Sequence, residues 1–348
     1  MRKRNPYYSG PPSDHFDGLR FFNTPRADEN GLKDVLRWRF EERKRAVWPQ
    51  SVKSLAPDKP PQRVYGSALR LSYIGHASFL LQLYGLNILF DPVLSERASP
   101  FAFAGPRRAL PPGIKFEDLP PIDVVLLTHN HYDHMDLPFL ARLARKSAYR
   151  LITPLGNDAI LAKATGKLPI ETGDWDDEIA LSPYVSVRFE PTHHWSARGV
   201  FDRRMALWAS FALRTPVGTI YCIGDTAYGD GAIFRAARVK FTDIRLALLP
   251  IGAYDPAWFM QRHHVAPEQA VRIFEDLGAD RAFAHHWGVF RLTDEPRDEP
   301  PRRLALAMER AGLNTERFVA LPPGTVKHYD LLQRTLATPD TDKIGTQA

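Results

Sequence analysis

The sequence has almost no cysteine. Cys222 is the single cysteine in 348 residues, and it lies in the apolar stretch Thr219–Ile223. One cysteine excludes an intrachain disulfide and a cysteine metal cluster, and it points to a reducing compartment. A metal centre in this chain therefore has to use histidine and carboxylate ligands.

Long hydrophobic runs are also missing. No stretch reaches the roughly 18 to 20 continuous apolar residues that a membrane span needs. The basic residues 1–4 are followed by the polar, proline-rich segment Asn5–Pro12, where a signal peptide would have its apolar region. We expect a cytoplasmic protein, and the sequence leaves open a peripheral position on the inner membrane face.

The net charge of +6 favours anionic partners, which include phosphates, acidic lipid surfaces and nucleic acid. We expect no nucleic-acid partner, because no basic run interleaved with aromatic residues occurs outside residues 32–48. With 44% hydrophobic and 25% charged residues, the composition is that of an ordinary globular protein. It leaves the oligomeric state open.

Three segments are predicted. Residues 1–61 form an N-terminal arm with a basic amphipathic helix over Leu32–Trp48 and a linker over Pro49–Pro61. Residues 62–335 form the main domain, and residues 336–348 form a frayed tail. The helix could lie on an anionic membrane, but packing on the core with a solvated basic face is the favoured alternative.

Short strands and helices alternate in the main domain, and several strands end in polar residues. The predicted strands are Leu69–Ile74, Ser78–Leu83, Asn87–Phe90, Ile122–Leu127, Leu151–Pro154, Val185–Glu190, Thr219–Ile223, Leu246–Ile251 and Arg281–Ala284. The predicted helices are Leu137–Lys146, Asn157–Thr165 and Pro267–Gly278. The long segment Leu94–Pro121 is rich in proline, glycine and arginine, and we expect it to border the active site.

The strand Ile122–Leu127 ends in a dense group of metal-ligand side chains, His129, His131, Asp133 and His134. In an extended segment the first two histidines point to the same side, while the other two residues come from the following turn. Imidazole and carboxylate suit zinc and similar metals, and a set without cysteine fits a catalytic site. The alternative is a polar loop whose histidines cap the helix that begins near Leu137.

Histidines also follow the later strands. Ten of the twelve histidines lie between His76 and His286, and three doublets occur at His193–His194, His263–His264 and His285–His286. Neighbours in an extended chain point to opposite faces, so at most one member of each doublet is expected to reach a metal. With Gly224–Asp225 after another strand, the pattern predicts ligands that converge in space.

The order of these motifs resembles the metallo-β-lactamase superfamily. Within it, the sequence looks like the family of phospholipase D enzymes that hydrolyse N-acyl-phosphatidylethanolamine. The motifs that carry this likeness lie in roughly residues 66–325 and are Leu71–Ser78, Phe90–Ser95, Ser99–Pro100, Pro120–Asp123, His194–Trp195, Pro250–Tyr254, Trp258–Met260 and His286–Gly288. The N-terminal arm is covered least.

This resemblance implies an α+β fold, a four-layer αβ/βα sandwich with two zinc ions at one edge, although other divalent metals would also suit the ligands. One zinc would be bound by His129, His131 and His194. The second would be bound by Asp133, His134 and His286, and Asp225 would bridge both ions. The choice within the doublet His193–His194 stays open, because His193 departs from the residue usual in the family.

The resemblance also implies further site residues. Asp133, Asp225 and His264 are the catalytic candidates, and Asp91, His76 and Tyr254 are expected to lie behind the ligands or on the substrate side. A hydroxide that bridges two cations can attack phosphorus and suits phosphodiester hydrolysis. The implied substrate is a phospholipid, N-acyl-phosphatidylethanolamine, which would be cleaved to an N-acylethanolamine and phosphatidic acid.

Three alternatives remain at this point. A lactonase or a phosphodiesterase for soluble esters would keep the metals, because substrate choice depends on loops rather than on the fold. A nucleic-acid hydrolase is permitted by the charge but lacks a recognisable binding module. A non-catalytic, membrane-associated protein on the same fold is disfavoured by the complete set of ligands.

Overall fold

The computed structural model describes residues 4–26, 31–41, 45–49 and 52–332. In chain order the strands are β1 (Ala68–Gly75), β2 (Ser78–Leu83), β3 (Leu86–Phe90), β4 (Val124–Leu126), β5 (Arg150–Pro154), β6 (Ile170–Gly173), β7 (Glu178–Ala180), β8 (Ser186–Glu190), β9 (Ser210–Thr215), β10 (Gly218–Cys222), β11 (Ile244–Pro250), β12 (Arg281–His285), β13 (Phe318–Val319) and β14 (Val326–Asp330). The helices are α1 (Leu32–Phe40), α2 (Leu137–Lys146), α3 (Asp158–Thr165), α4 (Ala232–Lys240), α5 (Ala257–Met260), α6 (Pro267–Leu277) and α7 (Glu299–Arg310).

The strands form two mixed sheets of seven strands each, with the orders β14-β1-β2-β3-β4-β5-β6 and β13-β12-β11-β10-β9-β8-β7. In the first sheet β3 to β6 are parallel, and in the second sheet β10 to β13 are parallel. The remaining neighbours are antiparallel. The strands β1, β3, β4, β8, β10, β11 and β12 therefore all end at the same edge of the two sheets.

A large apolar core lies between the sheets and includes Phe79, Phe90, Phe189, Phe211 and Phe283. A second apolar cluster packs α4, α6 and α7 on the outer face of the second sheet, and a third packs α2 and α3 on the outer face of the first. Strands buried on both faces carry continuous apolar runs, which explains why they could be recognised in the sequence. The predicted four-layer sandwich is confirmed.

Local sequence explains where several elements begin and end. Tyr84 and Gly85 both have positive φ, 48° and 77°, which suits the tight turn of the β2–β3 hairpin. Helix α6 begins with Pro267 and stops before Gly278, whose left-handed φ of 62° ends the helix as its sequence predicts. Asp136 caps α2 by accepting a hydrogen bond from the Phe139 amide.

The N-terminal arm packs on the main domain. Phe16 and Phe21 are buried against Leu207 and Trp208. In the segment that was predicted as a linker, the Asp58 carboxylate forms a buried ion pair with Arg70 of β1. The arm and the linker thus contribute to the packing of the first and second sheets.

The predicted helix Leu32–Trp48 is wrong in its second half. Helix α1 ends at Phe40, Glu41 is extended, and residues 45–49 are not helical. Tertiary contacts explain the difference, because the Ala46 amide donates to the Asp294 carbonyl and the Trp48 indole donates to the Glu295 carbonyl. Of the predicted basic face, Arg43 and Lys44 lie outside the described residues, as does the predicted tail 336–348.

Helix α1 contacts the main domain at Trp258 and Phe259. Trp38 stacks on Phe259 with the ring centroids 5.2 Å apart, and Arg37 lies over the Trp258 ring. Leu36 and Phe40 are exposed. None of the described helices is both long enough and apolar enough to cross a bilayer.

Candidate metal centre

Strand ends from both sheets bring the histidines and carboxylates to one edge of the sandwich. His129 to His134 follow β4, and Asp91 follows β3 of the same sheet. His194 follows β8, Asp225 follows β10 and His286 follows β12, all in the second sheet. The candidate centre therefore lies between the sheets and takes residues from both.

The ligand atoms form two adjoining groups. One contains His129, His131, His194 and Asp225, and the other contains His76, Asp133, His134 and His286, with the ligand atoms of each group within 4.8 Å of one another. A third, overlapping set joins Asp225 to His264 and His286. Asp225 is thus positioned to contact metals in both groups.

Distances in the first group match metal ligation. His131 Nδ1 lies 2.9 Å from His129 Nε2 and 3.1 Å from His194 Nε2. Asp225 Oδ2 lies 3.5 Å from His194 Nε2 and 3.9 Å from His129 Nε2. A tetrahedral zinc with nitrogen ligands at about 2.0 to 2.1 Å would separate neighbouring ligands by about 3.3 Å.

Hydrogen bonds on the far side of two imidazoles fix their tautomers. The Thr128 hydroxyl donates to Asp91, so it accepts from His129 Nδ1, which lies 2.9 Å away. His194 Nδ1 donates to the His263 carbonyl at 2.9 Å. The Nε2 atoms of both rings are therefore unprotonated, and their lone pairs converge on His131. A hydrogen on His131 Nδ1 can serve only one of these lone pairs at a time, whereas a metal cation between the three rings would satisfy all of them, so these residues fit a bound metal.

The second group is centred on Asp133. Its Oδ2 lies 2.9 Å from His76 Nε2, 3.2 Å from His286 Nε2 and 3.6 Å from His134 Nε2. Asp225 completes the group, with Oδ1 3.1 Å from His286 Nε2 and Oδ2 3.3 Å from His134 Nε2. Asp91 holds His134 from behind by accepting from its Nδ1 at 2.7 Å.

Burial raises the pKa of Asp133 and Asp225, but the neighbouring histidine charges lower both well below the ordinary value. Burial lowers the pKa of His134 and His286, but Asp225 and Asp133 raise the first well above its ordinary value and the second to about 9. A divalent cation would displace these two protons, because imidazole binds metals in its neutral form.

For the other histidines of the centre the effect of burial prevails, and the net pKa shift is downward. Burial lowers the pKa of His131 and His264 to about 4 and that of His76 to about 3. Burial also lowers the pKa of His129 and His194 well below the ordinary value, helped by the charges of neighbouring histidines. These five rings are neutral at pH 7 and are thus in the form that binds metal.

In two of the histidine doublets only the second ring faces the centre, as expected for neighbours in an extended chain. His194 and His286 point into the centre, whereas His285 contacts the Ile223 carbonyl at 2.8 Å and His193 pairs through its backbone with Ala227. His286 adopts a left-handed φ of 62°, and His76 and Asp91 do so at 56° and 38°. Such conformations are costly for residues other than glycine and are concentrated at functional sites.

The other predicted residues lie at different places. His264 Nδ1 is 3.8 Å from Asp225 Oδ2, so it borders the centre. Tyr254 points away, because its hydroxyl donates to Glu299 at 2.7 Å and Arg303 lies over its ring. The sequence did not predict that His263 also lines a pocket beside the centre, because the strand rule allows only one member of a doublet to face the centre. This doublet lies outside a strand, where both rings can turn to one side. The buried His263 ring has no hydrogen-bond partner among the described residues.

A pocket of about 410 Å³ opens onto the centre. Its polar wall includes His131, Asp133, Asp225, His264 and Arg203, and its apolar wall includes Val35, Trp38, Phe259, Met260 and Leu292. Ala98 also lines it, so the segment Leu94–Pro121 borders the centre as predicted. The pocket can hold a polar group beside the metal ligands and an apolar group next to it.

A family model described as "Beta-lactamase superfamily domain" matches residues 86–287, more than half of the chain. The chain is 30% identical over 88% of its length to N-acyl-phosphatidylethanolamine-hydrolyzing phospholipase D 1 of Caenorhabditis elegans and covers 92% of that protein. It therefore belongs to the metallo-β-lactamase superfamily and, within it, to the family of these phospholipase D enzymes. As a member, it is a metal-dependent hydrolase.

A second relative and a solved structure agree with this family and this fold, respectively. A mitochondrial N-acyl-phosphatidylethanolamine-hydrolyzing phospholipase D of Saccharomyces cerevisiae is 29% identical over 69% of this chain and 52% of its own. The structure of Igni18, a metallo hydrolase of Ignicoccus hospitalis, matches with a TM-score of 0.55 and 18% identity, over 75% of this chain and 98% of its own. At that identity the structural likeness speaks for the fold alone.

Proposed function

We propose that the protein cleaves the phosphodiester of an N-acyl-phosphatidylethanolamine and releases an N-acylethanolamine and phosphatidic acid. The observation that carries this proposal is the division of the ligands into two groups, with Asp225 in one group and 3.1 to 3.3 Å from His286 and His134 of the other. Two-metal sites with such a shared carboxylate suit in-line displacement at phosphorus. The activity for which the worm and yeast relatives are named supports the substrate class.

We assign the ligands to two divalent cations, with zinc as the first choice because the donors are imidazoles and carboxylates. His129, His131 and His194 would hold one ion. Asp133, His134 and His286 would hold the other, with Asp225 between them. When bound, the two ions would supply a nucleophile at neutral pH and stabilise charge on the attacked and leaving oxygens.

The protein's own residues would orient the reacting groups. His76 lies 2.9 Å from Asp133 and would hold that carboxylate in one orientation rather than bind metal. His264 lies half-buried in the pocket wall and is neutral, so it can donate one N–H to an oxygen of the substrate phosphate. Arg203, on the same wall, carries the positive charge that suits this phosphate.

The pocket also supports a lipid as substrate. Its apolar wall lies beside the polar wall, and this arrangement suits a molecule with a charged phosphodiester next to hydrocarbon chains. A small soluble diester would leave this apolar wall in contact with water. We therefore expect turnover to rise with the length of the acyl chain until the wall is covered.

The test compares three substrates with the metal-loaded protein. They are an N-acyl-phosphatidylethanolamine in mixed micelles, a soluble bis-aryl phosphodiester and a lactone. Asp225→Asn serves as the inactive control, and Asp230→Asn, a substitution of an exposed carboxylate five residues away, serves as the matched control.

We expect the lipid to be turned over fastest, with activity lost in Asp225→Asn and kept in Asp230→Asn. Faster turnover of the lactone or of the soluble diester would contradict the lipid assignment and favour the corresponding alternative hydrolase. Equal activity of Asp225→Asn and the unmodified protein would contradict the two-metal assignment.

A further inference from the structure

Two loops beside the pocket expose apolar side chains at their tips. The first loop, residues 95–108, exposes Phe101 by 55% and Phe103 by 82%. The second loop, residues 196–204, exposes Val200 by 88% and Phe201 by 87%. Large apolar side chains exposed this far in neighbouring loops indicate an interaction surface.

Both loops border the candidate centre. Ala98 of the first loop lines the pocket that contains the metal ligands. A second cavity of about 500 Å³ lies between Phe101 of the first loop and Arg198 of the second. Tyr132 lines both cavities, so the cavity between the two loops adjoins the pocket of the centre, and Arg203 of the second loop lines that pocket as well.

The bases of the loops are fixed by polar contacts, so the tips project from a preformed support. In the first loop, Arg97 donates to the Gly105 carbonyl and Arg107 pairs with Glu96. In the second, Arg198 donates to the carbonyls of Asn130 and Met135. Asp202 accepts from the Gly199 amide and from the Tyr7 hydroxyl.

The charges of the two loops are complementary to an anionic surface. By sequence each loop has three arginines and one carboxylate, but Arg108 of the first loop is buried, so Arg97, Arg107 and Glu96 leave that loop an accessible net charge of +1, and the second loop carries +2. Aromatic rings with nearby arginines suit the boundary between lipid headgroups and acyl chains. Phe101 and Phe103 lie 5.5 Å apart and could enter that boundary together.

We propose that these two loops dock the protein on an anionic phospholipid bilayer, with Phe101, Phe103, Val200 and Phe201 inserted into the interface. The choice of a bilayer rests on the proposed function, because the proposed substrate lies in a membrane. In this orientation the entrance to the metal centre faces the lipid. A stable protein partner is disfavoured, because it would need about 800 Å² of fitted surface rather than two narrow tips.

The test measures sedimentation of the full chain with vesicles of phosphatidylcholine, with and without phosphatidylglycerol. The variants are Phe101→Ser with Phe103→Ser, and Val200→Ser with Phe201→Ser. Tyr184→Ser with Val239→Ser is the matched control, because these residues are exposed on other elements, before β8 and on α4. We expect each loop variant to weaken binding to the anionic vesicles by about tenfold, because each loses apolar area that insertion would bury.

A second measurement reports insertion directly. Cys222 is buried, so a thiol-reactive, polarity-sensitive fluorophore attached to a Phe201→Cys variant labels that position selectively. We expect its emission to shift to shorter wavelength with anionic vesicles. The same fluorophore on Tyr184→Cys should not shift.

Unchanged vesicle binding in both loop variants, or no emission shift at position 201, would overturn the proposal. Loss of self-association in the loop variants without loss of vesicle binding would instead assign the tips to a contact between two copies of the chain. Vesicle binding needs no turnover, so normal binding without lipid hydrolysis would contradict the proposed function and leave the docking surface standing.

Discussion

At the scale of single residues, Asp91 controls the centre without belonging to the proposed ligand set. Its fully buried carboxylate accepts hydrogen bonds from the Thr128 amide, the Thr128 hydroxyl and His134 Nδ1, at 2.8, 2.6 and 2.7 Å. It therefore fixes His134 directly and His129 through the Thr128 hydroxyl. Partners of this kind orient metal ligands and raise their basicity.

We predict that Asp91→Asn weakens metal binding by about 10- to 100-fold, because the amide cannot replace both acceptor oxygens. The dissociation constant for zinc, measured by competition with a coloured chelator, checks this expectation. Asp230→Asn should bind zinc as the unmodified protein does. An unchanged constant in Asp91→Asn would show that His134 needs no support from this carboxylate.

Gly224 gives a second prediction at this scale. A Cβ atom at this position would lie 2.3 Å from the Thr128 hydroxyl oxygen and 2.8 Å from its Cβ. We expect Gly224→Ala to displace Thr128, to lower the free energy of unfolding by about 1 to 3 kcal/mol, and to weaken metal binding as well. Gly199→Ala is the control, because its nearest neighbour would be the Asp202 carboxylate at 3.8 Å.

Denaturant unfolding and zinc titration of the two glycine variants decide the matter. If Gly224→Ala matched the unmodified protein in stability and in zinc affinity, the backbone after β10 would have to accommodate the added methyl group without displacing Thr128.

The sequence predicts the metal ligands best where several histidines and a carboxylate follow a single strand. His129, His131, Asp133 and His134 could be proposed together because strand geometry already orients a short segment. Tyr254 could not be oriented in this way. Its hydroxyl direction is decided by Glu299, which lies far along the chain, and no local pattern contains that contact.

At the scale of elements, the linker is held by a buried ion pair. Arg70 Nη2 lies 2.6 Å from Asp58 Oδ1, Arg70 Nη1 lies 2.9 Å from Asp58 Oδ2, and the Ser72 hydroxyl also donates to this carboxylate. The Asp58 amide donates to the Gly113 carbonyl. The pair thus connects the linker to β1 and to the long loop that precedes β4.

We predict that Asp58→Asn lowers the free energy of unfolding by about 3 to 5 kcal/mol, because it leaves a buried guanidinium without its counter-charge. Glu171→Gln is the matched control, since Arg150 and Glu171 form a similar two-contact pair that is partly exposed. That change should cost less than about 1 kcal/mol. Urea unfolding of both variants separates the two cases, and similar losses would contradict the role of burial.

The elements that were predicted well are those that carry their own pattern. Strands β2, β3 and β11 are apolar runs bounded by turn residues. Helix α6 has a proline in its first turn and a glycine after its last, so the sequence itself marks both ends. The strands that sequence left unassigned include β7 and β13, of three and two residues, which exist only through their pairing partners. Helix α1 was extended too far because the contacts of Ala46 and Trp48 lie outside the helical pattern.

At the scale of the whole molecule, the N-terminal arm is attached by a titratable contact. His15 Nε2 lies 2.7 Å from Asp174, and Nδ1 lies 2.6 Å from Asp14. Burial lowers the pKa of His15, but its hydrogen bonds to the two carboxylates raise it above the ordinary value overall. The ring also stacks on Trp175, with the centroids 4.4 Å apart.

The sign of the pH effect follows from the raised pKa. The folded protein holds this proton more tightly than the unfolded chain, whose histidine has a pKa of about 6.5. The contact is therefore fully stabilising below pH 6.5, and its contribution is lost as the pH rises through the folded value. We expect the stability difference between the unmodified protein and His15→Gln to be larger at pH 5.5 than at pH 8.5.

Thermal unfolding of both proteins at these pH values tests this expectation. Susceptibility of the arm to limited proteolysis should follow the same trend. A stability difference that is constant or that grows towards alkaline pH would contradict the charge on His15.

Strand β14 has a consequence for synthesis of the chain. It pairs with β1 along the register from Ala68 and Asp330 to Ser72 and Val326, so the last described strand covers the edge of the first. During translation, β1 emerges from the ribosome long before its partner. Its backbone groups and its almost entirely buried side chains then lack their final cover until residue 330 has left the exit tunnel. A release of the growing chain before β14 would therefore yield a product that aggregates, even though every proposed metal ligand had already been synthesised.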